Sequence, residues 1–204
     1  MSFAFVSYND YGIVASADRC LTGINNKGEK YTTSSNKCRK LFLSKQGFAL
    51  TYTGCASTND TPVSAKISEF WERVDDSMPL LDFFTQFVSV ITQFCKENII
   101  FIAAGYENGI PKIYTATTTQ PQVNEMADIA YSGESELAKG VINVVPIVYN
   151  TMTLQDRIDF HRFITNCVAK YQYYSDQLQT VSEDCDIIAI GKFGVEFSKF
   201  AEYY

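Results

Sequence analysis

The chain has a single histidine, His161, so a Ser-His-Asp or Cys-His catalytic triad would have to use it. His161 lies three residues after Ile158 and three residues before Ile164, and this spacing puts all three side chains on one face of a helix. A histidine on an apolar helical face is typical of a protein core. The sequence therefore favours a structural role for His161 over a triad.

Six cysteines form a second set of reactive groups, but their spacing predicts neither a metal site nor a disulfide framework. No Cys-x-x-Cys pair is present, and a chain of this length without a secretion signal is not expected to depend on disulfides. Cys55 follows Gly54 and could line a pocket, although no base is evident beside it. We expect reduced, mostly buried thiols, and no cofactor.

The acidic residues include a short cluster of Glu183, Asp184 and Asp186. Carboxylates can bind a cation, but the spacing matches no metal-ligand pattern, so solvated loop positions are predicted and no metal is expected. The chain has 17 basic and 23 acidic residues, a formal net charge of −6, and no basic stripe. Nucleic acid is therefore not expected as a partner.

Two further absences bear on where the protein works. No apolar run reaches the ~18 residues that a membrane span needs. Residues 1–8 lack the basic start and apolar core of a signal peptide. We expect a cytoplasmic protein without a membrane partner.

The elements that would position these residues begin with two predicted β-hairpins. Residues 3–8 and 12–17 are short apolar runs joined by Asn-Asp-Tyr, and residues 41–44 and 48–53 flank a turn that contains a glycine. Residues 22–35, between the hairpins, are polar and indicate a loop. The strand runs are nearly continuous in hydrophobicity, so both faces of the strands should be covered.

Helices are predicted in two pairs. Apolar residues recur at helical spacing within residues 62–74 and 79–97, each segment opening on a proline. The second pair covers residues 134–145 and 153–171, and the latter opens on the Thr-x-x-Asp of a capping box. We expect the aromatic helix at 79–97 to be a packing surface, within the subunit or between subunits. The remaining predicted strands cover residues 99–104, 110–116, 128–131, 186–191 and 195–200.

Strand blocks and helix blocks are segregated along the chain: four strands, two helices, three strands, two helices and two strands. This order argues against a doubly wound parallel sheet, and hairpins imply antiparallel sheets. We predict an α+β fold, a four-layer αββα sandwich with two antiparallel sheets between helix layers. Because no repeat or linker is evident, residues 1–204 are expected to form a single domain.

Four segments carry a functional signal: SFAFV from Ser2, GIVASADR from Gly12, RKLF from Arg39 and YTGCA from Tyr52. In this order and at these separations they resemble proteasome β-type subunits of the N-terminal-nucleophile (Ntn) hydrolase superfamily, and the smaller bacterial relatives of those subunits. The predicted element order matches that family's layout over nearly the whole chain. The resemblance implies an Ntn-hydrolase fold, a peptide or small amide substrate, and assembly into rings or stacked rings.

The resemblance also implies catalytic roles. The family's nucleophile is the first residue of the mature chain, with an aspartate sixteen positions later, which corresponds to Ser2 and Asp18. A lysine lies fourteen positions before the glycine that ends the fourth strand and lines the oxyanion hole, which corresponds to Lys40 and Gly54. Lys37 is the competing lysine, but only Lys40 directly precedes an apolar pair.

Two serines complete the set that the resemblance implies. Ser132, in a Tyr-Ser-Gly sequence, would hydrogen-bond the terminal amine, and Ser182 falls near a second serine of the family. The family's aspartate just upstream of that second serine has no clean match, since Gln179 or Asp176 occupies the neighbourhood.

The chemistry of these residue types is consistent. A serine hydroxyl needs an adjacent base, and an α-amino group with a pKa of about 8 can provide one from the same residue. The mechanism requires removal of Met1, which is expected before a small residue such as Ser2. One alternative is a non-catalytic proteasome-like subunit with an assembly or structural role. Another is an acylase for small amides, and any ATP-driven unfoldase partner stays open.

Overall fold

The structure is a computed structural model that describes residues 2–24, 27, 29–33, 38–58, 61–75, 77–144, 149–175 and 178–200. The strands in these ranges are β1 Phe3–Asn9, β2 Gly12–Asp18, β3 Leu21–Ile24, β4 Lys30–Thr33, β5 Leu41–Leu43, β6 Ala49–Gly54, β7 Ser57–Thr58, β8 Thr61–Pro62, β9 Ile99–Glu107, β10 Ile110–Thr117, β11 Asn124–Met126, β12 Ile129–Gly133, β13 Cys185–Gly191 and β14 Gly194–Lys199. The helices are α1 Val63–Trp71, α2 Leu80–Ile91, α3 Ser135–Val144 and α4 Leu154–Tyr174, with a 3-10 turn at Tyr149–Thr151.

Two five-stranded antiparallel sheets form the centre of the molecule. The first sheet has the strand order β12-β1-β2-β13-β14, and the second has the order β11-β10-β9-β6-β5. The predicted hairpins are confirmed, including β9–β10, whose turn residues Asn108 and Gly109 have φ of 52° and 77°. Positive φ at both turn positions matches the strand twist of a two-residue hairpin. The predicted antiparallel pairing is therefore confirmed.

Three packed regions hold the sheets and helices together. Small and branched side chains such as Ala15, Leu41 and Ile102 fill the space between the two sheets. Aromatic side chains of α1 and α2 pack on the outer face of the second sheet, and α3 and α4 pack on the outer face of the first. The predicted packing role of the aromatic helix is confirmed within the subunit. The result is a sandwich of antiparallel sheets with helices on its outer faces.

The fully buried His161 lies in a polar network between α4 and the first sheet. Its Nε2 and Nδ1 atoms are each 2.8 Å from a serine hydroxyl, those of Ser7 and Ser16. Arg157 donates to the Ser7 hydroxyl at 2.9 Å, and the Ser16 hydroxyl lies 3.4 Å from the carbonyl of Phe5. A neutral imidazole with its proton on Nδ1 donates to the Ser16 hydroxyl and accepts from the Ser7 hydroxyl, so both ring nitrogens have a hydrogen-bond partner. The prediction that His161 lies in the protein core is confirmed.

The structure corrects the predicted loop at residues 22–35. Within it, β3 and β4 pair as a short hairpin in which Gly23 lies opposite Tyr31. A Cβ atom at Gly23 would lie 2.6 Å from the Tyr31 ring, so the glycine makes room for the tyrosine rather than breaking a strand. Part of this loop, residues 25–26, 28 and 34–35, lies outside the described residues.

Helix boundaries and short strands account for the other differences. α2 ends at Ile91 rather than near residue 97, and the Thr92 hydroxyl bonds back to the Val88 carbonyl at 2.9 Å. The two-residue pair β7–β8 and the edge strand β11 were not predicted because such short segments carry no hydrophobic period. The predicted capping box of α4 at Thr153 and Asp156 is confirmed. Within the described ranges, no helix combines the length and apolarity of a membrane-crossing segment.

Candidate active site

A buried ion pair lies where β2 ends and β5 begins. Asp18 and Lys40 are 0 % and 2 % exposed, and the Lys40 Nζ atom is 2.8 Å from Asp18 Oδ1. The ammonium also donates to the carbonyl oxygen of Cys20. Two charges removed from water need close pairing and further hydrogen bonds to be tolerated, and both are present here. The structure therefore brings together the aspartate and lysine that the sequence singled out.

Backbone N–H groups complete the environment of the Asp18 carboxylate. Oδ1 accepts a hydrogen bond from the N–H of Phe3 at 2.8 Å, and Oδ2 accepts one from the N–H of Cys20 at 2.7 Å. Hydrogen bonds to an ionised carboxylate are stronger than neutral ones. The Asp18 carboxylate thus binds both Lys40 and the backbone of Phe3, the residue after Ser2.

The main chain of Ser2 is fixed by the end of β12. Its carbonyl oxygen accepts a hydrogen bond from the N–H of Glu134 at 2.9 Å, and Ser2 is 3 % exposed. Gly133 has a φ of +89°, and a Cβ atom there would lie 1.7 Å from the Ser2 carbonyl oxygen. Only glycine allows this close approach, which explains why glycine follows Ser132 at this position.

Ser2, Lys40 and Gly54 line one cavity of about 360 Å³. Gly54 ends β6 with a φ of +110°, and a Cβ atom there would lie 2.6 Å from the carbonyl oxygen of Asn98. The described lining is completed by Cys20, Leu21, Thr22, Gly23, Cys55, Ala56 and Ser57. Three of the predicted site residues thus share one opening with mostly small, uncharged neighbours.

The two remaining serines lie around this centre. The Ser132 hydroxyl, 3 % exposed, accepts a hydrogen bond from the Thr53 hydroxyl at 3.0 Å. The Ser182 hydroxyl accepts one from the N–H of Arg19 at 2.9 Å and donates to the Asp184 carbonyl at 2.6 Å. Ser132 therefore contacts the residue before Gly54, and Ser182 contacts the residue after Asp18.

Two alternatives that the sequence left open, Lys37 and Asp176, lie outside the described residues. Gln179 is described, and its carbonyl oxygen accepts hydrogen bonds from the Thr32 hydroxyl at 2.5 Å and the Cys20 thiol at 3.7 Å. Gln179 thus contributes a main-chain acceptor to the wall beside Cys20.

A second buried ion pair was missed by the sequence reasoning. Arg19 Nε lies 2.8 Å from Asp186 Oδ1, and both side chains are almost fully buried. The prediction of solvated positions for the acidic cluster is wrong for Asp186, although Glu183 and Asp184 are exposed. The position of Asp186 at the start of an apolar strand was the available signal, because a carboxylate there needs a cation.

The cavity lining contains two thiols, Cys20 and Cys55, and the Cys20 thiol is not poised as a nucleophile. Burial raises the pKa of the Cys20 thiol, and the negative charge of Asp18 raises it further, although Lys40 acts in the opposite direction. A protonated thiol is a poor nucleophile. Among the described residues, no group of three or more His, Cys, Asp or Glu side chains is placed to hold a metal ion. The cavity lining thus contains the Ser2 hydroxyl and the Lys40 ammonium, and Asp18 pairs with Lys40 behind it.

Comparison with known proteins gives a fold but no family. No protein-family model matches the sequence, and no curated protein matches it. Among solved structures, the fold is similar to a Gly-1 mutant of Anbu from Hyphomicrobium sp. strain MC1, with a TM-score of 0.74 and 15 % identity over 98 % of this chain and 87 % of that chain. It is also similar to Anbu, an ancestral beta-subunit, from Yersinia bercovieri, with a TM-score of 0.70 and 14 % identity over 99 % of this chain and 88 % of that one.

This chain has a proteasome-like α+β fold. The sequence resemblance places it in the proteasome β-subunit family, and that assignment is wrong. No family model supports it. The solved structures above are Anbu proteins at 14–15 % identity, and a likeness at this level of identity establishes only a shared fold. The four quoted segments largely coincide with β1, β2, β5 and β6, four strands of the two central sheets.

Proposed function

We propose that this chain is an Ntn-type amide hydrolase in which Ser2, exposed as the first residue by removal of Met1, is the nucleophile. The observation that carries the proposal is the buried Asp18–Lys40 pair beside Ser2. Lys40 shares one cavity with Ser2, and the carboxylate that pairs with Lys40 also binds the N–H of Phe3, the next residue. A buried ion pair is a weak source of stability, so its position beside a candidate nucleophile favours a chemical role.

The proposed reaction begins with proton transfer from the Ser2 hydroxyl to its own α-amino group. The hydroxyl oxygen attacks the amide carbonyl, and the amine then donates the proton to the leaving nitrogen as the C–N bond breaks. An ester to Ser2 remains, and water activated by the same amine hydrolyses it. The Gly54 N–H, at the edge of the cavity, is the proposed donor to the tetrahedral oxyanion, an interaction worth about 3–4 kcal/mol in comparable sites.

Lys40 and Ser132 have supporting roles in this proposal. Two of the three ammonium N–H bonds of Lys40 point to Asp18 and Cys20, and we assign the third to Ser2. Ser132 accepts its hydrogen bond from Thr53, so its own hydroxyl proton remains available for the lone pair of the neutral amine. Ser182 acts more remotely, by holding the backbone of Arg19 beside Asp18.

The same proposal includes the finer architecture. We propose the four-layer αββα order of Ntn hydrolases, one domain over residues 1–204, and a cytoplasmic, homo-oligomeric protein. The name of one structural neighbour, ancestral beta-subunit, supports assembly. All six cysteines are unpaired, which agrees with a reducing compartment. The substrate class is a peptide or a small amide whose acyl group fits a cavity of about 360 Å³ with mostly uncharged walls.

The proposal is tested by the intact mass of the protein purified from its own cells, before and after an electrophilic inhibitor of N-terminal nucleophiles. We expect a mass without Met1 and a single adduct that maps to Ser2. Ser2→Ala should take no adduct, whereas Ser57→Ala, which alters another serine of the cavity lining, should be labelled normally. Normal labelling of Ser2→Ala would contradict the proposal.

The second candidate function is a non-catalytic, proteasome-like structural subunit. Met1 precedes Ser2 in the sequence, and while it remains the free amine lies one residue from the hydroxyl. A mature protein that retains Met1 and takes no adduct would support this alternative.

A further inference from the structure

Glu134 lies opposite Ser2 at the end of the pairing between β1 and β12. Phe3 pairs with Gly133, and the pairing continues because the Glu134 N–H donates to the Ser2 carbonyl oxygen at 2.9 Å. Directly opposite residues of a hydrogen-bonded antiparallel pair have Cα atoms about 5.5 Å apart. The Glu134 side chain therefore starts close to the backbone nitrogen of Ser2, the atom that becomes the α-amino group when Met1 is removed.

The Glu134 carboxylate is held by a chain of hydrogen bonds from α4. The buried Gln172 amide donates from Nε2 to the Thr180 hydroxyl at 2.9 Å, and that hydroxyl donates to Glu134 Oε1 at 3.2 Å. Gln172 Oε1 accepts from the N–H groups of Thr180 and Val181 at 2.9 and 3.1 Å. The carboxylate is thus anchored to a buried segment that is itself fixed to the helix.

The segment that anchors Glu134 also borders the start of β1. Val181 is fully buried in the same apolar cluster as Phe3, and the Ser182 hydroxyl accepts from the N–H of Arg19, the residue after Asp18. Glu134 is therefore bound on one side to the Ser2 backbone and on the other to a segment that packs against β1. Both contacts keep its carboxylate near the site.

Two acidic residues bind the backbone at the start of β1, and only one of them is fully engaged. Asp18 accepts from Lys40 and from the N–H groups of Phe3 and Cys20, so both of its oxygens are used. Glu134 is partly exposed, and its Oε2 atom makes no hydrogen bond to another described residue. Glu134 is therefore the carboxylate that can accept from a further donor.

The other charges around this point do not compete for Glu134. Charged groups on the neighbouring elements pair with one another: Asp18 with Lys40, Arg19 with Asp186, and Lys170 with Glu183. On α3, Glu136 and Lys139 are exposed to solvent. Burial raises the pKa of the Cys20 thiol, so this thiol adds no charge near neutral pH. An ammonium group at Ser2 would therefore find an available counter-ion in Glu134.

We propose that the Glu134 carboxylate binds the α-amino group of Ser2 once Met1 is removed. This inference rests on the proposed function, in which that amine is the general base. The carboxylate favours the protonated amine, whereas the Lys40 ammonium opposes it. Because an amine carries N–H bonds in both protonation states, the contact persists while the amine accepts and releases the Ser2 proton.

The test is the titration of the α-amine, followed by trace acetylation with acetic anhydride across a pH series and mass spectrometry of the N-terminal peptide. The variants are made on Ser2→Ala, which keeps the amine and removes the hydroxyl, so the measurement does not depend on hydrolysis. Glu134→Gln should lower the titration midpoint by roughly 0.5 pH unit, the size expected for a partly exposed ion pair. Glu136→Gln removes an exposed charge in the first turn of α3 and should leave the midpoint unchanged.

A purely structural role for Glu134 predicts a different result. Glutamine keeps the backbone N–H that binds Ser2 and an oxygen that can accept from Thr180, so the midpoint would then not move. An unchanged midpoint in Glu134→Gln, or an equal shift in Glu136→Gln, would overturn the proposal. Circular dichroism checks that each variant is folded.

The failure of this proposal is distinguishable from the failure of the proposed function. If the midpoint shifts but Ser2 of the unmodified chain takes no inhibitor adduct, the contact with Glu134 stands and the hydrolase is refuted. If Ser2 takes the adduct but the midpoint does not shift, the contact alone is refuted. A mature protein that retains Met1 would overturn both, because Ser2 then has no free amine.

Discussion

Gly133→Ala tests whether the end of β12 sets the position of Ser2. A Cβ atom at Gly133 would lie 1.7 Å from the Ser2 carbonyl oxygen, and real Cβ contacts essentially never fall under 3.0 Å. The two segments must therefore separate by about 1.3 Å, the difference between these distances. This movement opposes the hydrogen bond from the Glu134 N–H to Ser2, and a misplacement of about 1 Å at a reacting group can lower a rate about 100-fold.

The matched control is Gly109→Ala. Gly109 also has a positive φ, +77°, but nothing lies within 4 Å of the point where a Cβ atom would be attached, so this variant carries the backbone strain alone. That strain costs about 1–2 kcal/mol for a residue with a Cβ atom. Gly133→Ala should lose this amount and, in addition, about 1 kcal/mol for the weakened hydrogen bond.

The assay compares both variants by urea denaturation and by the rate at which the electrophilic inhibitor labels Ser2. We expect Gly109→Ala to be labelled at the normal rate and Gly133→Ala at least about 100-fold more slowly while still folded. Equal labelling rates would refute the argument that this glycine positions Ser2. Equal losses of stability would show that β12 absorbs the methyl group without moving Ser2.

Three further predictions concern groups around the site and in the core. Lys40→Met should lower the free energy of unfolding, measured by urea denaturation, by about 3–5 kcal/mol because Asp18 stays buried without its cation. Adding Asp18→Asn should recover part of this loss. No recovery would mean that the unpaired Asp18 carboxylate is not its cause. Burial, reinforced by the charge of Arg157, holds the pKa of His161 well below its usual value. Below pH about 6.5 only the unfolded chain takes up this proton, so stability should fall by up to about 1.4 kcal/mol per pH unit, and His161→Gln should remove that slope from pH-dependent denaturation curves. Thr53→Val, which removes the hydrogen bond to Ser132, should slow the labelling of Ser2, whereas Thr53→Ser should preserve the labelling rate. Normal labelling of the valine variant would show that this hydrogen bond does not affect the reactivity of Ser2.

Elements with a strong local cause could be predicted from the sequence. The capping box at Thr153 fixes the start of α4 through contacts within one turn, and the Asn-Gly turn between β9 and β10 is fixed by backbone preference. Both depend on residues close together in the chain, so no knowledge of the tertiary structure is needed. The stacking of the sheets followed from the block order of strands and helices.

Elements whose cause is tertiary could not be predicted in this way. The β3–β4 hairpin looks like a polar loop because its residues leave no hydrophobic period, and the packing of the Tyr31 ring on Gly23 is seen only in the folded chain. Asp186 looks solvated because its cation, Arg19, is 167 residues away in the chain. A single sequence shows that such residues are charged or small but not which partner they meet.

The candidate site combines chemical and geometric requirements, and the difference between them decides which tests are informative. The side chains of Ser2, Asp18 and Lys40 were singled out because the resemblance to proteasome β-type subunits implied catalytic roles at their positions, and their chemistry is mutually consistent. The requirements at Gly133 and Gly54 are geometric: each glycine has a positive φ and lies against a backbone carbonyl that a Cβ atom would strike. A change in a side chain tests whether the chemistry is present, whereas Gly133→Ala leaves every reacting group in place and changes only the position of Ser2. If labelling survives the loss of Lys40 but not the displacement of Ser2, then positioning and not the ion pair is the main source of reactivity at this cavity.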